Sequence, residues 1–89
     1  MTIDPFALSG NSLTAPAAQA FAIIPDDATS LDVATKAIFV GTGGDLAVRL
    51  VDNDEDLTFR NLGSGTILDI RVTDVRSSGT TATDLIGLI

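Results

Sequence analysis

From Ala20 onward the chain carries no apolar stripe at helical spacing beyond one or two turns; short apolar runs alternate instead with clusters of Gly, Asp, Asn, Ser and Pro. That punctuation constrains the fold more than any other feature. Runs of roughly 5–10 residues separated by turns of roughly 3–5 describe an all-β chain, a small antiparallel β-sandwich or jelly-roll-like domain. Ala20–Ile24 reads as a strand stopped by Pro25-Asp26-Asp27, and Ala34–Gly41 as a second, with Ile38 and Val40 on one face. Leu46, Val48 and Leu50 alternate with Ala47, Arg49 and Val51, the pattern of a half-buried strand. Asp52–Asp56 forms a polar turn, Leu57 and Phe59 alternate with Thr58 and Arg60, and Asn61–Gly65 turns the chain again.

The longest predicted strand is Thr66–Arg76, with Leu68, Ile70 and Val72 facing one way and Asp69, Arg71 and Thr73 the other. Val75 falls on the polar parity, so a bulge near Thr73-Asp74 is expected to restore the alternation. Ser77–Gly79 turns, and Thr80–Ile89 makes an apolar final strand expected to be paired and covered. Asp26–Ala34 is the one segment that suggests a short capped helical turn. Residues 1–19 show neither period. Pro5, Gly10, Asn11 and Pro16 break up Phe6, Leu8 and Leu13, which suits a flexible leader or an extended N-terminal arm docking on a neighbouring subunit. The domain division expected is therefore an arm over 1–19 and a β-sandwich over 20–89.

A chain of 89 residues is a single domain with a thin core. Such domains usually need disulfides, a metal or a partner. There is no Cys and no His, which leaves self-association. The net charge of −7, from 12 acids and 5 scattered bases, argues against nucleic acid and anionic membrane as partners. No apolar run approaches the ~20 residues of a membrane span, and the N-terminus lacks the charged and apolar regions of a signal peptide.

Three motifs invite chemistry. Gly41-Thr42-Gly43-Gly44-Asp45 comes after an apolar run as a phosphate-binding loop would, but a dinucleotide fingerprint puts its third glycine where Leu46 stands. The next segment, Leu46–Val51, is a strand and not a helix, and no Gly-Lys-Ser/Thr occurs, so a hairpin with glycine at the turn is expected. Asp52-Asn53-Asp54-Glu55-Asp56 suggests calcium, yet the EF-hand glycine and glutamate positions hold Leu57 and Gly63. An acidic hairpin tip is the better reading, with a looser cation site left open. Gly79-Thr80-Thr81-Ala82-Thr83 reads as ordinary exposed strand threonine. Without His or Cys no Ser or Cys triad can be assembled, so the chain is expected not to be an enzyme; no catalytic, cofactor-binding or metal-binding residue is assigned. Lack of Trp and Tyr disfavours sugar stacking.

The leader Asp4-Pro5-Phe6-Ala7 and Thr14-Ala15-Pro16-Ala17, then Ala37-Ile-Phe-Val-Gly-Thr-Gly-Gly-Asp-Leu46, Thr58-Phe59-x-Asn61-Leu62, Gly65-Thr-Ile-Leu68, Ile70-Arg-Val-Thr73 and Ser78-Gly-Thr-Thr-Ala-Thr83 occur in an order that resembles the spike base proteins of tailed phages and alphaproteobacterial gene transfer agents. The resemblance runs over nearly the whole chain. It implies a structural protein on the surface of a virion or gene transfer agent particle, assembled in the bacterial cytoplasm, with no enzymatic activity and no cofactor. Its partners would be further copies of itself, capsid protein at a vertex, and a fibre that touches the host surface. A ring is expected, a pentamer ahead of a trimer. The family pattern has Pro and a basic residue where this chain has Asp69 and Asp74, which implies a more acidic partner surface. A small carbohydrate-binding module acting in host attachment is the alternative.

Overall fold

The computed structural model describes residues 17–89. The predicted N-terminal arm lies outside the described residues except for Ala17–Gln19. Seven strands make up the domain: β1 (Ala20–Ala22), β2 (Ala37–Thr42), β3 (Gly44–Leu50), β4 (Leu57–Leu62), β5 (Thr66–Leu68), β6 (Val72–Val75) and β7 (Thr83–Leu88). They form two antiparallel sheets, β1-β7-β2-β5 and β4-β3-β6, packed as a small sandwich.

The core lies between the sheets. Ile38, Val40 and Leu85 project from the first sheet and Leu46, Val48, Val72 and Val75 from the second, with Ile23 and Ala82 closing the ends. Alternation along each strand separates these inward side chains from their outward neighbours. Phe21 of β1 pairs with Gly87 of β7, and its ring covers the space a side chain at 87 would need.

The path between strands departs from the sequence reading in two places. β2 and β3 belong to different sheets, so Gly43 carries the chain from one layer to the other and the expected hairpin is absent. A Cβ at Gly43 would lie 2.9 Å from Ser64 N and closer still to Leu62 O; one at Gly44 would lie 2.8 Å from Ala82 N. Here backbone passes against backbone, which only a residue without a Cβ permits. Among the described strands, β3 and β4 are the one consecutive pair that are also hydrogen-bonded neighbours.

The second departure is Thr66–Arg76, which is two strands in opposite sheets and not one. Alternation persists through 69–71, but the ladder does not. Ile70 N donates back to Leu68 O at 2.9 Å, and Ile70 O accepts from the Thr35 hydroxyl at 3.0 Å. The expected bulge is present. In the register of β3 with β6, Arg49 faces Asp74 and Leu50 faces Val72, so Thr73 is the extra residue and both Val72 and Val75 reach the core.

No helical turn forms over Asp26–Ala34. The segment and the residue after it direct backbone donors at the free edge of β6: Asp26 N, Leu31 N and Thr35 N donate to Val75 O, Thr73 O and Val72 O at 2.9, 2.8 and 3.2 Å. Thr35, fully buried, also accepts from Val72 N at 3.1 Å. The edge is thereby closed without adding a strand. The apolar C-terminal segment is paired as expected, though regular strand begins at Thr83: β7 lies between β1 and β2, and Ile89 exchanges bonds with Gln19.

Candidate interaction surfaces

The two most distinctive sequence segments, Gly41–Leu46 and Gly79–Thr83, meet in space. Beyond the end of β6, the flank of β3 is met by the side chains of Thr80 and Thr81. Asp45 N donates to Thr81 Oγ1 and Ala47 N to Thr80 Oγ1, each at 2.9 Å, while Thr81 N and Ala82 N donate to Asp45 O at 2.9 and 3.1 Å. The threonines are therefore not ornaments of an exposed strand; their hydroxyls continue a ladder whose backbone has left. Asp45 extends the corner on its other side. Its Oδ1 accepts from Asn61 N at 2.9 Å and its Oδ2 meets Arg60 Nη1 at 3.2 Å. Asn61 has φ 59°, the left-handed conformation, at the irregularity where β4 slips against β3. Gly43 N donates to Ser64 Oγ at 2.8 Å. Amides of Gly43, Asp45 and Ala47 are thus all taken by side-chain oxygens and are not offered to a phosphate.

The Asp52–Asp56 turn joins β3 to β4, as expected, and its last residue is an anchor. Asp56 Oδ1 accepts from Arg49 Nε at 3.1 Å, and Asp56 Oδ2 from Arg76 Nε at 3.0 Å. Arg76 Nη1 donates to Asp27 O at 2.9 Å and lies 3.7 Å from Asp74 Oδ1. Among the described residues no group of three or more acidic side chains gathers to hold a metal ion. Asp74 is 4% exposed, so it adds nothing to the partner surface anticipated from the resemblance; Asp69 does lie at the surface. Burial works against the Asp74 carboxylate, but donation from the Ser30 hydroxyl at 2.5 Å and the Thr73 hydroxyl at 2.8 Å, with the charges of Arg76 and Arg49, outweighs it and holds the group below the usual carboxylate range. Asp27 is lowered too, because the Ser78 hydroxyl and amide donate to it at 2.6 and 2.9 Å. These charges clamp the 23–36 loop and the acidic turn onto β3 and β6.

The remaining surface of note is apolar. On the outer face of the first sheet, register places Ala22, Ile86, Phe39 and Ile67 in one row across all four strands, and Ala20, Leu88 and Ala37 in the next. Ile67 is 57% exposed. An antiparallel sheet with one solvated face normally alternates apolar with polar; this one carries an apolar band on its outer face as well, bounded by Asp84 opposite Gly41. On another part of the surface Ile24 stands 82% exposed beside a groove formed with Ser77, Thr80 and Leu85.

No protein-family model matches the chain, and no curated protein matches it. A solved chain does: a component of the "capsid of native GTA particle computed with C5 symmetry" is 36% identical, with 98% of this chain and 100% of that one covered and a TM-score of 0.80. The chain belongs to the structural proteins of gene transfer agent capsids. A contiguous apolar patch of this kind is the usual mark of an interaction surface.

Reading inward parity strand by strand misses that surface, although the sequence carries a signal for it. Ala37-Ile38-Phe39-Val40 and Leu85-Ile86-Gly87-Leu88 are continuous apolar runs, the mark of strands buried on both faces. Inward parity picks out Ile38, Val40 and Leu85 and passes over Phe39 and Ile86.

Proposed function

We propose that this capsid protein forms the oligomeric base of a particle spike and anchors the fibre that contacts the host surface. The observation that carries the reading is the full-length match to a chain from a particle reconstructed with five-fold symmetry, in a protein that has an apolar band across the outer face of one sheet to cover. Five-fold symmetry favours a pentamer seated at a vertex over a trimer. A subunit of this kind needs a rigid frame, repeated contacts and no reacting groups. The stitched corner and the arginine clamp supply the frame, and catalysis forms no part of the role.

The reading is tested in two steps. Native mass spectrometry of the purified chain at micromolar concentration should show a closed oligomer, five subunits being expected; a stable folded monomer would overturn it. Deleting the gene in producing cells should leave filled heads that lack spikes in electron micrographs. Heads that fail to form would instead indicate a shell component, and saturable binding of the isolated chain to host capsule would favour the carbohydrate-binding alternative.

A further inference from the structure

We infer that the outer face of the first sheet is covered by residues 1–16 of a neighbouring copy of the same chain. The inference rests on the oligomeric reading above and adds what holds the copies together.

The surface itself is fixed by register. Ile67, Phe39, Ile86 and Ala22 form a row across β5, β2, β7 and β1, and Leu88 and Ala20 continue it toward the end of the sheet where the N-terminal segment enters. None of these side chains is charged. The segment that would cover them matches that character. Residues 1–16 contain Ile3, Phe6, Leu8 and Leu13 and a single charged side chain, Asp4, whereas the whole chain has 12 acids and 5 bases. Phe6 and Leu8 are two apart, so in an extended backbone both fall on one side, about 7 Å apart. That spacing would let them seat together on an apolar sheet.

The place where the segment leaves the domain, together with its length, favours a neighbour over the segment's own domain. Ala18 N and Gln19 N donate to Ile89 O at 2.8 and 3.0 Å, and Ile89 N donates to Gln19 O at 2.9 Å. The pairing of β1 with β7 thus continues past Leu88 to Ile89, where two successive amides converge on one carbonyl, so residues 1–16 start from the end of the sheet. Extended at about 3.3 Å per residue they would span about 50 Å, more than the 35 Å length of the domain, enough to reach a neighbouring copy. An arm handed to the next subunit repeats identically around a ring and closes it.

Cysteine chemistry tests this cleanly, because the chain has no cysteine of its own. Two full-length variants, Phe6→Cys and a mass-tagged Ile67→Cys, are co-expressed and mildly oxidised. The expected product is the mixed disulfide between the two chains, and a double variant carrying both substitutions should give a ladder of interchain-linked species on a non-reducing gel. A third variant, Thr58→Cys, places the thiol on the outer face of the other sheet and should link poorly. An intrachain disulfide in the double variant without the mixed product would overturn the inference in favour of self-covering. Absence of any disulfide, or equal linking to Thr58→Cys, would overturn it outright. Native mass spectrometry of the unsubstituted chain separates the two failures: an oligomer without these disulfides leaves the spike-base reading standing, and a monomer removes both.

Discussion

Thr81 and Asp45 exchange two hydrogen bonds as though they were opposed residues of a ladder, the Asp45 amide donating to the Thr81 hydroxyl and the Thr81 amide to the Asp45 carbonyl, both at 2.9 Å. One of the four groups is a side chain. Replacing Thr81 by Val keeps the shape and strand preference but removes the acceptor, at an expected cost of about 0.5–1.5 kcal/mol. Thr81→Ser should retain most of the stability. Urea unfolding of the two variants side by side is the measurement, and equal midpoints would show that the hydroxyl is not what joins these segments.

The sheet-switching corner makes a sharper demand. Gly43→Ala should be severely destabilising, by about 3 kcal/mol or more, since its Cβ meets backbone that cannot give way. Gly63→Ala provides the contrast: its nearest obstacle is Thr66 Oγ1 at 3.5 Å, and a change within about 0.5 kcal/mol is expected. In an ordinary two-residue hairpin the position would be more forgiving, so a Gly43→Ala variant that melts within a few degrees of the parent would argue against the crossover.

Thr35 joins the loop over β6 to the strand itself, donating to Ile70 O and accepting from Val72 N from a fully buried position. Thr35→Val leaves a half-buried carbonyl and a buried amide without that partner. The expected loss is about 2–4 kcal/mol, well above the cost of an exposed threonine. Hydrogen exchange should also show the Val72 amide losing protection first; unchanged protection would mean that water or a neighbour replaces the hydroxyl.

Acid should unfold the domain through two identified carboxylates. Asp74 and Asp27 are both held below the ordinary aspartate range in the folded protein. The unfolded chain therefore binds more protons in that window, and stability rises with pH across it. Their contribution is fully present above the unfolded carboxylate range and is lost as pH falls through about 4 and lower. Unfolding midpoints measured from about pH 7 to about pH 2 should be flat near neutrality and drop at the acid end. Asp74→Asn should lower stability near neutral pH by about 1–3 kcal/mol and flatten the acid limb; an acid limb as steep as the parent's would assign the acid sensitivity elsewhere.

Much of the molecule can be read locally. Ile38, Val40, Leu46, Val48 and Val72 fall on the inward parity of their strands, and each is fully buried. The parity slip at Val75 correctly locates a bulge at Thr73. The polar turn at 52–56 is where the charge run puts it. The destination of each element is not legible in the same way. Asp26–Ala34 looks helical because Asp and Ser cap helices, whereas here Asp27 holds Ser78 and Ser30 holds Asp74, partners 51 and 44 residues away. Thr80 and Thr81 look like surface strand residues, and their partners across β3 lie more than thirty residues back.

Residue type and spacing along the chain settle the class of the fold, the polar turns at 52–56 and 61–65, the inward side chains of β2, β3 and β6, and the lack of His and Cys. Each of these comes from residue type and a period of two along a few neighbours. Which sheet each strand joins is settled only by packing. Alternation reports inside from outside but carries no label for the partner, so a glycine corner that crosses between layers and one that folds back as a hairpin look the same along the chain. Gly43 and Gly44 are distinguished by the Leu62 carbonyl and the Ala82 amide that press against them, and both contacts exist only after residues far apart in the chain have packed.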